Sequence, residues 1–237
     1  MKKVTISVLL TLVLVLSTVS IASAITDGEL DGEGHPYVGL MIADVDGVPA
    51  WRCSGTLISP TIFLTAGHCT DGATAARVWF YSDMTYDNVP FPLYPYGGPE
   101  SGATEGTAYT HPQYDPNAFF LFDLGVVVLD EPVYMDEYGV LPQLDQLDVL
   151  KTKRGKQDVT FTAVGYGLQQ SFPDAASWKE NNLRIRMVAH PKLNQINGGI
   201  VGDFSLLLSN NANTGGTCFG DSGGPNFIGT SNVIGGV

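Results

Sequence analysis

The chain has 237 residues, 44% of them hydrophobic and 15% charged, a balance that fits a globular protein with a core and excludes a disordered or coiled-coil chain. Its formal net charge of −12 repels nucleic acid and acidic lipid, so neither is expected as a partner. Twenty-eight Gly and 14 Pro, with little helical periodicity, point to β structure with many turns.

The N-terminus carries the first signal. Lys2 and Lys3 precede an apolar run from Val4 to Ile21, and Ala22-Ser23-Ala24 is a small-x-small cleavage site. This is the pattern of a secretory signal peptide over residues 1–24. An uncleaved membrane anchor is the competing reading, because the run approaches a bilayer span in length. Cleavage after Ala24 would remove two positive charges and leave 213 residues with a formal charge of −14. No second transmembrane run follows, so a secreted protein with no stable membrane association is expected. Secretion permits disulfides. Three cysteines, Cys53, Cys69 and Cys218, leave at least one unpaired, and the lack of a Cys-x-x-Cys argues against structural zinc.

Downstream, the segments 37–43, 55–64, 77–81, 124–129, 159–164, 183–188 and 204–208 are predicted as strands. Each is short, rich in Val, Ile, Leu, Phe or Tyr, and bounded by Gly, Pro, Asn or Asp. Residues 82–120 read as surface loops, 136–158 as the connection between two halves, and 168–182 as a further loop. Spacing is irregular, with no repeat of fixed period. The expected fold class is all-β, an antiparallel barrel or sandwich.

Three local patterns carry chemistry. In Leu64-Thr65-Ala66-Gly67-His68-Cys69 an apolar strand runs into a small-residue turn that presents one histidine. The other three histidines, His35, His111 and His190, each precede a proline and suit loops. A lone histidine is more often structural than functional, so context has to decide. In Phe122-Asp123-Leu124-Gly125-Val126-Val127-Val128-Leu129 an acid stands at the mouth of a continuous apolar strand. A carboxylate buried there needs a donor, for which an imidazole N–H is suited; a turn-capping aspartate is the plainer alternative. In Gly220-Asp221-Ser222-Gly223-Gly224-Pro225 a hydroxyl protrudes from a tight turn whose backbone N–H groups can face the same space.

Taken together, in the order His, Asp, Ser, the three patterns resemble the trypsin/chymotrypsin family of serine proteases over residues 25–237. Cys53-Ser54-Gly55-Thr56-Leu57-Ile58, His111-Pro112 and Val164-Gly165-Tyr166-Gly167 add to the likeness. The resemblance implies two antiparallel β-barrels, an N-terminal one over 25–140 and a C-terminal one over 141–237, with the site in the cleft between them. It implies a catalytic triad of His68, Asp123 and Ser222, an oxyanion hole from the N–H groups of Gly220 and Ser222, and a Cys53–Cys69 disulfide. That disulfide would close a loop of about 15 residues and contribute about 3 kcal/mol. The chemistry uses no metal or organic cofactor, and the partners would be protein or peptide substrates, met by a monomer. Gly216 falls where relatives that prefer Arg or Lys carry an aspartate, so an apolar or small side chain is expected in the specificity pocket. Ile25-Thr26-Asp27-Gly28 resembles the family's mature start, which implies that signal cleavage exposes an Ile25 ammonium able to pair with Asp221. The chain ends soon after the nucleophile, where the family continues with a pocket-wall strand, a last strand and a C-terminal helix. A truncated sequence is therefore expected, with the partner of Cys218 in the missing part. The alternative to a serine endopeptidase is a catalytically silent homologue acting as a binding protein.

Overall fold

The structure is a computed structural model that describes residues 25–85, 94–96, 99–151, 158–169, 183–197 and 205–237. The signal segment 1–24 and the loop around Phe172-Pro173-Asp174 lie outside these residues. Thirteen described strands are joined by turns and short 3-10 segments, with one α-helical turn between the fourth and fifth strands.

Six strands close a barrel in the order β2 (Val38–Val45), β3 (Val48–Ser59), β4 (Ile62–Thr65), β7 (Gly125–Leu129), β6 (Thr104–Thr110) and β5 (Ala75–Trp79). The β2–β3 turn is Asp46-Gly47, with φ of 53° and 80°. Two left-handed residues give the twist that a tight hairpin needs, and Asp-Gly is the pair that adopts it at least cost. Leu40, Met41, Leu57, Phe63, Val78, Trp79 and Val127 fill the barrel with no solvent exposure.

The second half holds a five-stranded sheet, in the order β1 (Glu29–Leu30), β9 (Met187–Ala189), β8 (Phe161–Gly165), β12 (Asn226–Ile228) and β13 (Ile234–Gly236). A two-stranded ribbon pairs β10 (Leu193–Ile196) with β11 (Leu206–Leu208). Among the described residues this sheet is open, whereas the first barrel is closed. The apolar core does not respect the division. Val164, Tyr166, Phe227 and Ile234 of the second half belong to the same buried cluster as the barrel residues.

A buried polar knot reinforces the join. Arg186, fully buried, donates from Nε to Asp31 Oδ2 at 2.8 Å, from Nη1 to the carbonyls of Val38 and Phe80 at 3.2 and 3.0 Å, and from Nη2 to Gly32 O at 2.6 Å. Asp31 also meets the imidazole of His35. Burial would raise the Asp31 carboxyl, but His35 and Arg186 outweigh it and hold the group below its ordinary range. A buried guanidinium is tolerable only when its donors are used in this way.

Several expected elements change. The segment 55–64 breaks at Pro60-Thr61 into β3 and β4, because proline lacks the N–H that a continuing strand would use. The Asp46-Gly47 hairpin starts β3 at Val48, well before residue 55. Strand β6, Thr-Glu-Gly-Thr-Ala-Tyr-Thr, falls inside the stretch read as loops. Its residues have little apolar character, and the strand exists because it bridges β5 and β7 to close the barrel.

Candidate active site

Each element of the site is delivered by the end of a strand. Strand β4 pairs with β7 so that Thr65 lies opposite Gly125. The chain then turns into α1 (Gly67–Thr70), which carries His68, while Asp123 precedes β7 on the neighbouring strand. The two meet directly. His68 Nδ1 lies 2.8 Å from Asp123 Oδ2, and the backbone N–H of His68 donates to Asp123 Oδ1 at 2.7 Å. One carboxylate thus fixes both the imidazole and the turn that bears it. His68 remains partly open to solvent. Burial first, then the charges of Asp123, Asp71 and Asp115, push the nearby Tyr114 phenol up, which marks this rim as an acidic field.

Cys53 on β3 and Cys69 in α1 form a disulfide with Cα atoms 6.2 Å apart, as the resemblance implied. It ties the histidine turn to the barrel wall. Cys218 is a free cysteine.

The turn that carries Ser222 is held across the join by Ser54, which is fully buried. The Ser54 N–H donates to Ser222 O at 2.9 Å and its hydroxyl donates to Gly220 O at 2.9 Å. The same hydroxyl accepts from Tyr166 N–H at 3.0 Å, and Thr65 Oγ1 donates to Ser54 O at 2.8 Å. Two glycines in the turn are required by geometry. Gly220 has φ of 94° and Gly223 has φ of 79°, and a Cβ on Gly223 would come within 2.1 Å of Thr65 Oγ1. Only a residue without Cβ reaches both the left-handed region and this proximity.

His68, Asp123 and Ser222 line one cavity of about 220 Å³, together with Ala66, Thr217, Cys218 and Asp221. Among the described residues no hydrogen bond joins the Ser222 hydroxyl to His68, a looseness common in sites without substrate. Gly216 does not line this cavity. It is buried against Asn210 and donates its N–H to Thr26 O at 3.1 Å. Thr217, which the sequence patterns do not single out, lines the cavity.

Asp221 is buried at 2% exposure and accepts N–H bonds from Gly167 at 2.7 Å and Cys218 at 2.9 Å. Burial pushes its carboxyl up to about 7, against the pull of those two N–H groups and of Arg52. Ile25 is also fully buried, packed with Ala163, Met187 and Ala189. The expected Ile25–Asp221 ion pair is not formed among the described residues, because the Ile25 nitrogen is a peptide nitrogen in this chain.

A family model described as Trypsin matches residues 32–237. A solved structure of HL collagenase is similar in fold, with a TM-score of 0.66 at 20% identity over 90% of this chain and 85% of that one. No curated protein sequence matches the chain.

Proposed function

The chain belongs to the trypsin family, and from that premise we propose that it is a secreted serine endopeptidase that hydrolyses peptide bonds through an acyl-enzyme. The observation that carries this reading is the 2.8 Å contact between His68 Nδ1 and Asp123 in a cavity that Ser222 also lines. A carboxylate on Nδ1 selects the tautomer whose Nε2 is basic, and that is the nitrogen a serine hydroxyl needs. Ser222 Oγ attacks the scissile carbonyl as its proton passes to His68 Nε2. Asp123 stabilises the imidazolium so formed. The N–H groups of Gly220 and Ser222 receive the oxyanion. His68 then returns the proton to the leaving amine, and a water, deprotonated by the same nitrogen, releases the acyl group.

Two further elements belong to this proposal. Signal cleavage after Ala24 would free the Ile25 ammonium, and a charged nitrogen in the buried surroundings of Ile25 would offer Asp221 a counter-charge. N-terminal sequencing of the active secreted protein checks this, and a start other than Ile25 defeats it. Gly216 offers no carboxylate to a basic side chain, which favours apolar or small residues on the acyl side of the cut.

Treatment with a fluorophosphonate tests the central claim. Modification of Ser222, lost in Ser222→Ala and accompanied by peptide hydrolysis, is expected. A folded secreted protein that resists labelling at Ser222 overturns the peptidase reading and leaves a binding protein.

A further inference from the structure

The turn that carries Ser222 is ordered around a buried carboxylate although the N-terminal nitrogen expected beside it is tied up in a peptide bond. Asp221 is 2% exposed and its two hydrogen bonds come from neutral N–H groups. An isolated carboxylate in such a place is strongly unfavourable unless a positive charge acts on it. Among the described residues, the charge of Arg52 on β3 of the first barrel lowers the Asp221 carboxyl, by less than its two N–H partners do.

The geometry is specific. A Cβ placed on Gly220 would lie 3.0 Å from Arg52 Nη2 and 3.2 Å from its Nε, and 3.2 Å from the Cα of Gly167. The guanidinium therefore sits over the Gly220 backbone, beside the residue whose N–H binds Asp221. Gly167 in turn approaches Asp221 so closely that a Cβ there would come within 2.4 Å of Oδ2. Arg52, Gly167, Gly220 and Asp221 form one compact group at the join of the two halves. Burial lowers the Arg52 guanidinium from its ordinary value, Tyr94 and then Asp221 act against that, and Arg52 in turn lowers the Asp221 carboxyl.

We propose that Arg52 is a positioning residue that supplies the internal positive charge holding Asp221, so that the Gly220–Ser222 turn is assembled before any N-terminal cut. The proposal rests on the peptidase reading above and adds to it that N-terminal processing augments activity and does not create it. The cation on β3 and the ammonium of Ile25 would act on the same carboxylate, so each matters most when the other is absent.

The test compares two forms of the full chain, one starting at Ile25 and one starting at Ser23, in which the Ile25 nitrogen stays in a peptide bond. Each is made as wild type, Arg52→Gln and Arg52→Lys, with folding checked by thermal melting. Fluorophosphonate labelling rate and kcat and KM on a peptide substrate are measured. The Ser23 form of the wild type is expected to label and turn over. Arg52→Gln is expected to lower kcat thirtyfold or more in the Ser23 form and about threefold in the Ile25 form, with KM changed less than threefold in both. Arg52→Lys, which keeps the charge, is expected to recover most of the loss. Equal losses in the two forms, or a lysine variant as poor as the glutamine one, overturn the proposal, and the lysine comparison decides it if the glutamine variant does not fold. A silent wild-type Ser23 form beside an active Ile25 form overturns it and leaves the peptidase reading intact. Folded wild-type protein that labels in neither form defeats both.

Discussion

Replacing Asp221 by asparagine removes one titrating group from the core and so changes how stability depends on pH. The Asp221 carboxyl is pushed from its ordinary 3.8 up to about 7 in the folded chain, with burial the largest cause. Folded chain keeps that proton up to about pH 7, whereas unfolded chain releases it near 3.8. The stabilisation is therefore complete below pH 3.8 and is lost as the pH rises to about 7. The gap is worth about 4 kcal/mol at 1.36 kcal/mol per pH unit. The asparagine of the variant does not titrate, so its fixed hydrogen-bonding penalty, about 1–3 kcal/mol for an amide that cannot accept from both Gly167 and Cys218, cancels between two pH values. Urea unfolding of the Ser23 form at pH 4 and pH 8 is the assay. The Asp221→Asn variant should gain about 4 kcal/mol on the wild type between them. A difference that stays constant within about 1 kcal/mol would refute the reasoning, because the carboxylate would then be no more burdened folded than unfolded. In the Ile25 form, whose ammonium can pair with Asp221, the gain should shrink.

Other expectations follow from the contacts. Asp123→Asn should leave the fold intact and lower kcat by about 10⁴-fold, the loss that this family's triad shows when the imidazole tautomer is wrong, as steady-state kinetics will read. Reducing Cys53–Cys69, which spans 16 positions in sequence, should lower unfolding free energy by about 3 kcal/mol, measured in urea with and without dithiothreitol. Asp31→Asn strips the buried Arg186 of its nearer charge partner and leaves only the exposed Glu33 at 3.9 Å among the described residues. A loss of about 3–5 kcal/mol is expected in urea unfolding, and a loss below about 1 kcal/mol would mean that the Arg186–carbonyl bonds suffice without the carboxylate.

The elements legible in the sequence are those whose residues carry their own reason. Strand β7, Gly125–Leu129, is a run of valine and leucine that reads as a strand in any context. The three motifs around His68, Asp123 and Ser222 stand out because each sets a reactive side chain among small residues or at the edge of an apolar run. Strand β6 is hidden, because its threonines and glutamate are held in a ladder by neighbours on both sides. The early start of β3 is written in Asp46-Gly47, a strong turn signal between apolar runs, although the strand pattern alone begins only at residue 55. Ser54 and Arg52 lie beyond reach of sequence patterns. Their roles depend on the Gly220 turn, which is remote along the chain and near only after the halves meet.

The pairing of β1 with β9 sets an order of assembly. Glu29 and Leu30 find their partners at Val188 and Met187, and Asp31 finds Arg186, 155 residues further along the chain. The barrel of β2 to β7 needs only residues 38–129 to close its ladder. In a chain exported as proposed, the first mature residues to cross the membrane must therefore wait, undocked, until the stretch near residue 186 has followed them. The leading end, first to emerge, is among the last to be fixed, and its first few residues stay open to a processing enzyme for as long as that wait lasts.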